Sequence, residues 1–146
     1  MAFEWAQSYD TKDWERLQRC LAPSVRLDFR AFGQALHENL SPADFVAIIS
    51  DVKRIGNERV KTQHLLGGGK WERLSDASVT VTHQTRVAHQ RYTDKDMAVV
   101  ANKGHAHGTI QHWFRKIEGA WKLEGVEPQL VFTEYDLMGT LYPKED

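Results

Sequence analysis

The chain has 146 residues, 20 acidic against 19 basic side chains, and one cysteine, Cys20. That length suits a single domain, 1–146, with a real hydrophobic core. The mixed charge offers no basic stripe for nucleic acid, and a lone thiol excludes an internal disulfide or a cysteine-based zinc motif.

No apolar run approaches the roughly 18 residues of a membrane helix, so no membrane partner is expected. The segment MAFEWAQSYD lacks the cationic start and apolar run of a signal peptide, which makes the cytoplasm the expected compartment. Five Trp, six Phe and four Tyr are many rings for so small a chain; they build a tight core or line a pocket for a flat apolar ligand.

Phe3, Ala6, Trp14, Leu17 and Leu21 fall at helical spacings, with an interruption near Ser8–Thr11. Asp10 or Thr11 would cap a second helix from Lys12 to about Cys20, and Pro23 would stop it. The alternating VRLDF of Val25–Phe29 predicts a strand. Ser41-Pro42-Ala43-Asp44 is a helix start, with Ser at the N-cap and Pro in the first turn. Phe45, Val46, Ile48, Ile49 and Val52 supply its apolar face, and Gly56 ends it. From Lys61 the period changes, and Lys61–Leu74, Ser78–Tyr92, Met97–Ile117 and Trp121–Phe132 read as four long strands. A short helix closes the chain around Glu134–Leu141. Helices followed by a long antiparallel meander give an α+β order. The expected architecture is a cone-shaped α+β barrel, its N-terminal helices packed in a strongly curved, mainly antiparallel sheet.

Five of the seven histidines lie in HQTRVAHQRY (His83–Tyr92) and GHAHGTIQHW (Gly104–Trp113). Strand parity puts His83, Thr85, Val87 and His89 on one face, and His105 and His107 opposite Gly108, Ile110 and His112. Glycines 67–69 and Gly104 are candidate bulges that would invert parity. The pair His105-x-His107 invites a metal reading, but the first acid after it is Glu118. A closed site needs three or four ligands, so no metal is expected, and both histidines read as outward polar residues. Cys20 reads as buried packing, no serine has a nucleophile-elbow context, and Gly67–Gly69 precedes Lys70-Trp71, which is not a phosphate loop.

Several ordered segments together resemble the scytalone dehydratase family within the SnoaL-like, nuclear-transport-factor-2-like superfamily. They are EWAQSYDTKDWERL from Glu4, RLDFRAF from Arg26, RVKTQHLLGGGKWERLS from Arg59, VAHQRY from Val87, KGHAH from Lys103 and HWFRKIEGAWKLEGVEP from His112. The resemblance implies a homotrimer of conical barrels and a cofactor-free dehydration of a polyketide-derived hydroxyketone. It implies Tyr9, Asp10, His64 and His89 as catalytic groups, and gives His105 and His107 no catalytic role. A second tyrosine that the family carries in RLDF is Phe29 here. A serine and an asparagine after GHAH are Gly108 and Ile110, so the pocket loses hydrogen-bonding groups.

Loss of water from a β-hydroxyketone needs a base for the α-proton, stabilisation of the enolate oxygen and a proton for the departing hydroxyl. In those roles His64 is the expected base and Tyr9 the donor to the carbonyl oxygen. Asp10 is expected to orient a protonated His89, which assists the departing hydroxyl. Phe29, Phe32, Val87, Gly108, Ile110, Leu137 and Leu141 are the expected binding residues, and the substrate an aromatic polyketide whose product gains aromaticity. Two other classes remain. One is a non-dehydrating cyclase or pericyclase using the same apolar walls, and the other is a small-molecule binding module.

Overall fold

A computed structural model describes residues 1–144. Helix α1 (Ala2–Thr11) is one uninterrupted element that carries Tyr9 and Asp10 in its last turn. The break falls at Lys12–Asp13, just beyond the expected Ser8–Thr11. Lys12 takes a left-handed conformation (φ 55°), and the N–H groups of Lys12 and Asp13 donate back to the carbonyls of Tyr9 and Ser8. A non-glycine residue there costs roughly 1–2 kcal/mol, offset here because the Lys12 ammonium reaches the carbonyl of Ile55. Asp13, not Asp10 or Thr11, caps α2 (Trp14–Cys20) by accepting from the Arg16 N–H at 2.9 Å. Asp10 is thereby left free for other work.

Strand β1 (Leu21–Asp28) follows directly and runs through Pro23, which sits where its pairing with β6 is irregular. Asp28 then closes a 3-10 turn (Arg30–Phe32): its buried carboxylate accepts from Arg26 at 2.8 Å and from both Nε and a terminal nitrogen of Arg30 at 2.9 and 2.7 Å. This turn aims Phe29 and Phe32. Strand β2 (Leu36–Leu40) has no sequence signal, because LHENL buries no residue fully and shows no alternation. Helix α3 (Pro42–Ile49) starts as expected, with Ser41 Oγ accepting from the Asp44 N–H at 3.1 Å. It ends at Ser50 rather than Gly56, and Val52 is exposed in the turns beyond.

Strands β3 (Val60–Ser75), β4 (Ser78–Tyr92), β5 (Val100–Ile117) and β6 (Ala120–Tyr135) form the meander, and α4 (Leu137–Leu141) closes the chain. The six-stranded sheet has the order β2-β1-β6-β5-β4-β3, antiparallel except for the parallel β1–β6 pair. It is an α+β cone curled around α1. Trp5, Leu17, Phe45, Val81, Phe114 and Leu123 form the core; full burial of each contributes roughly 1.5–3 kcal/mol. One β3 bulge lies at Gly67–Gly68, between the Leu66–Thr85 and Gly69–His83 pairs, where glycine suggested it. Another lies not at Gly104 but in β6 at Val131, since His107 pairs with Phe132 and Gly108 with Leu130.

Candidate active site

The cone encloses a cavity of about 120 Å³, lined from every layer of the fold. Helix α1 contributes Trp5 and Tyr9, one turn apart with ring centroids 4.7 Å apart. Both rings stand nearly perpendicular to that of His64 on β3, with ring centroids 5.4 and 5.3 Å away. Strand β4 adds Thr85, Val87 and His89; β5 adds Ala106, Gly108 and Ile110; Phe29 and Phe32 come from the 3-10 turn, and Leu141 and Tyr142 from the end of the chain.

Asp10 lies behind His64, off the cavity wall. Its Oδ1 is 2.6 Å from His64 Nδ1 and accepts from Thr62 Oγ1 at 2.8 Å, while Oδ2 accepts from the His64 backbone N–H at 2.8 Å. Burial pushes the Asp10 carboxyl up, but its hydrogen bonds and charge interaction with His64, with help from Thr62, outweigh that and hold it below its ordinary value. An ionised Asp10 only accepts, so His64 Nδ1 carries the proton and Nε2 is the nitrogen left to a ligand.

This corrects the expectation that Asp10 orients His89. His89 Nδ1 instead faces the Gly104 carbonyl at 3.2 Å. Burial above all, then the neighbouring His64, lowers its pKa to about 3. His89 is therefore a neutral imidazole at physiological pH, not the protonated acid expected, and with Nδ1–H donating to Gly104 its Nε2 is an acceptor. The Tyr9 hydroxyl is buried, with no protein partner among the described residues. Burial drives its pKa well above the ordinary phenol value, so Tyr9 stays a donor.

Of the expected binding residues, Phe29, Phe32, Val87, Gly108, Ile110 and Leu141 line the cavity. Leu137 does not: it packs with Ala106 and Leu141 in a second cluster. A side chain on Gly104 would run into the Leu137 backbone, so this glycine lets α4 dock. A side chain on Gly108 would meet the Gln129 carbonyl, across from the β6 bulge. Arg91, buried in β4, donates from Nε to the Thr140 carbonyl at 2.7 Å and from a terminal nitrogen to that of Leu141 at 3.3 Å, tying α4 over the cavity.

His105 is buried edge-on to Tyr135 rather than outward, and His107 pairs with Glu134 at 3.1 Å and stacks on Phe132. Among the described residues, no three His, Cys, Asp or Glu side chains converge as a metal site. Sequence reasoning missed Trp5, although it stands one helical turn before Tyr9. It also missed Gln34 and Arg54, which lie in segments with no periodicity to place them.

A polarised His–Asp pair opening on a deep apolar cavity defines an acid–base site in a cone-shaped α+β fold. The sequence model of the scytalone dehydratase family matches residues 1–144, and the chain belongs to that family. It is 49% identical to scytalone dehydratase of Colletotrichum orbiculare, over 92% of this chain and 71% of that one. It is 50% identical to the scytalone dehydratase-like protein AacuK of Aspergillus aculeatus, over 92% and 77%. In fold it is similar to the dehydrochlorinase LinA-type3 of Novosphingobium barchaimii, with TM-score 0.70 and 10% identity, over 92% and 84%. Family membership supports lyase-type chemistry. No described helix is long and apolar enough to cross a membrane.

Proposed function

We propose that the protein is a cofactor-independent hydro-lyase that removes water from a hydroxylated, polyketide-derived cyclic ketone and makes its ring aromatic. The observation that carries this reading is His64, held through Nδ1 by Asp10 with its ring on the cavity wall. Nε2 of His64 takes the proton α to the ketone, and the C–H electrons form the enolate, whose oxygen accepts a hydrogen bond from Tyr9. The enolate then expels the β-hydroxyl, and the His64 imidazolium, stabilised by Asp10, returns the proton so that water leaves. Neutral His89 accepts a hydrogen bond from the substrate through Nε2 and orients it. Protons are relayed and one C–O bond breaks with no net change of oxidation level, so acid–base groups suffice. Aromatisation supplies driving force, which suits a site with Phe29 in place of a second phenol donor. Hydroxylated dihydro-anthrone and dihydro-naphthalenone ketones meet that condition.

The relatives' names, scytalone dehydratase among them, support the reaction class and the polyketide or pigment setting. A homotrimer in the cytoplasm belongs to the same reading. The exposed Val131, Phe132 and Tyr135 on β6 suit a subunit contact, and light scattering tests the trimer.

The deciding experiment is turnover of such a ketone by His64→Ala, read as loss of one water by mass spectrometry. Removing the base should cost about 10²–10⁴-fold in kcat and leave ligand affinity within a few-fold. The apolar walls at Phe29, Gly108 and Ile110 favour a second reading, a cyclase or pericyclase. In that case His64→Ala keeps most of its rate and bulky changes at Ile110 do the damage.

A further inference from the structure

Arg54 is the one lysine or arginine on the cavity wall, and neither aspartate nor glutamate stands there among the described residues. Arg16, Arg26, Arg30 and Arg115 each pair with a carboxylate. Arg54 has no such partner among the described residues; its guanidinium donates to Gln34 Oε1 at 2.7 Å. A guanidinium only donates, so Gln34 must turn its oxygen to Arg54, which leaves the Gln34 amide nitrogen as a second donor beside the remaining N–H groups of Arg54. Both side chains are half-buried, and Phe29, Phe32, Ile48 and Ile55 share the wall with them. The segment is anchored: the Arg54 N–H donates to the Asp51 carbonyl at 2.9 Å, and Lys12 holds the carbonyl of Ile55. A fixed cation with a neighbouring amide donor, in apolar surroundings and without a counter-charge, is a receptor for a planar anion.

We propose that Arg54 and Gln34 form a carboxylate subsite, so that the natural ligand is a hydroaromatic ketone bearing a ring carboxylate. This rests on the cavity being the substrate site, as proposed above, but not on which reaction occurs there. Arg54 fixes which molecules enter and how they lie; His64 acts on them.

The test is direct binding, by calorimetry, of the matched ligands 2-naphthoate, 2-naphthamide and 2-naphthol at neutral pH. Wild-type protein should bind the carboxylate about tenfold or more tighter than either neutral ring, as expected for charged hydrogen bonds in an apolar site. Arg54→Met should erase that preference by weakening the carboxylate about tenfold or more beyond any loss for 2-naphthamide, whose retained binding also shows that the variant folds. Arg54→Lys should keep part of it. Equal affinities in wild type, no binding of the three, a naphthol preference, or an Arg54→Met variant that weakens acid and amide alike would each overturn the subsite. None of these outcomes bears on the His64→Ala turnover test, so the two readings fail separately.

Discussion

At the scale of single residues, the distinction that matters is which histidine the carboxylate holds. Asp10 grips His64 two ways, through ring and backbone N–H, and is itself held by the Thr62 hydroxyl. Asp10→Asn should therefore lower kcat by weakening His64 as a base, most visibly as a changed pH–rate profile, with ligand affinity little altered. His89 should be more tolerant of a neutral replacement than a protonated acid would be: His89→Gln, which retains an acceptor, should keep more activity than His89→Ala. If the two variants are equally dead, the orienting role assigned to Nε2 is wrong. Phe29→Tyr adds a phenol to a wall of aromatic and aliphatic side chains. Turnover or binding of phenolic hydroxyketones should rise, and activity on the native substrate should fall; no gain on such compounds would sink the idea.

At the scale of elements, α4 is small and held by few groups. Its five residues are too few for a stable helix alone, so its place depends on Gly104, which admits Leu137, and on Arg91, which binds two of its carbonyls. Arg91→Met leaves those carbonyls without their donor. Hydrogen exchange at 137–142 should accelerate, and bound ligand should leave faster, with little change in the rest of the cone. Gly104→Ala should be worse, because it displaces both α4 and the carbonyl that fixes His89; overpacking of this kind typically costs about 1–3 kcal/mol. Unchanged thermal stability and ligand release in Gly104→Ala would mean that α4 docks by another route.

At the scale of the whole molecule, acid should unfold this protein in two stages. His89 and His112 have pKa values lowered from 6.5 to about 3, chiefly by burial. Between those values the unfolded chain takes up protons that the folded chain refuses. Stability is thus full above pH 6.5 and falls as pH drops toward 3, by about 1.4 kcal/mol per pH unit for each histidine. The lowered carboxyls of Asp10 and Asp28 add a second loss as pH falls further. His112→Leu removes one of the two histidines, whose ring nitrogens have no protein partner among the described residues. Chemical denaturation from pH 7 to 4 should then show a slope shallower by about one proton; an unchanged slope would contradict the assignment. Much of this molecule was legible in its sequence. The four long strands announced themselves by alternation, and Tyr9, Asp10, His64 and His89 by the resemblance of their segments. What was not legible depends on side-chain reach: Asp10 turns to His64 rather than His89, Asp13 takes the cap, and Arg54 sits in a segment whose pattern says nothing of where it points.

The contact between Gly108 and the Gln129 carbonyl carries a consequence for how this pocket can change. A serine hydroxyl at 108, the group the wider family would place there, cannot be regained by one substitution, because the backbone of β6 already occupies its space. Val131 is the extra residue between the pairs His107–Phe132 and Gly108–Leu130, so removing it would leave both pairs in place and straighten the bend of β6 beside Gly108. The apolar character of this wall is thus tied to the backbone path of β6 beside Gly108. A laboratory lineage selected for a more polar substrate would have to pass through a deletion in β6 before polar residues at 108 became available to it.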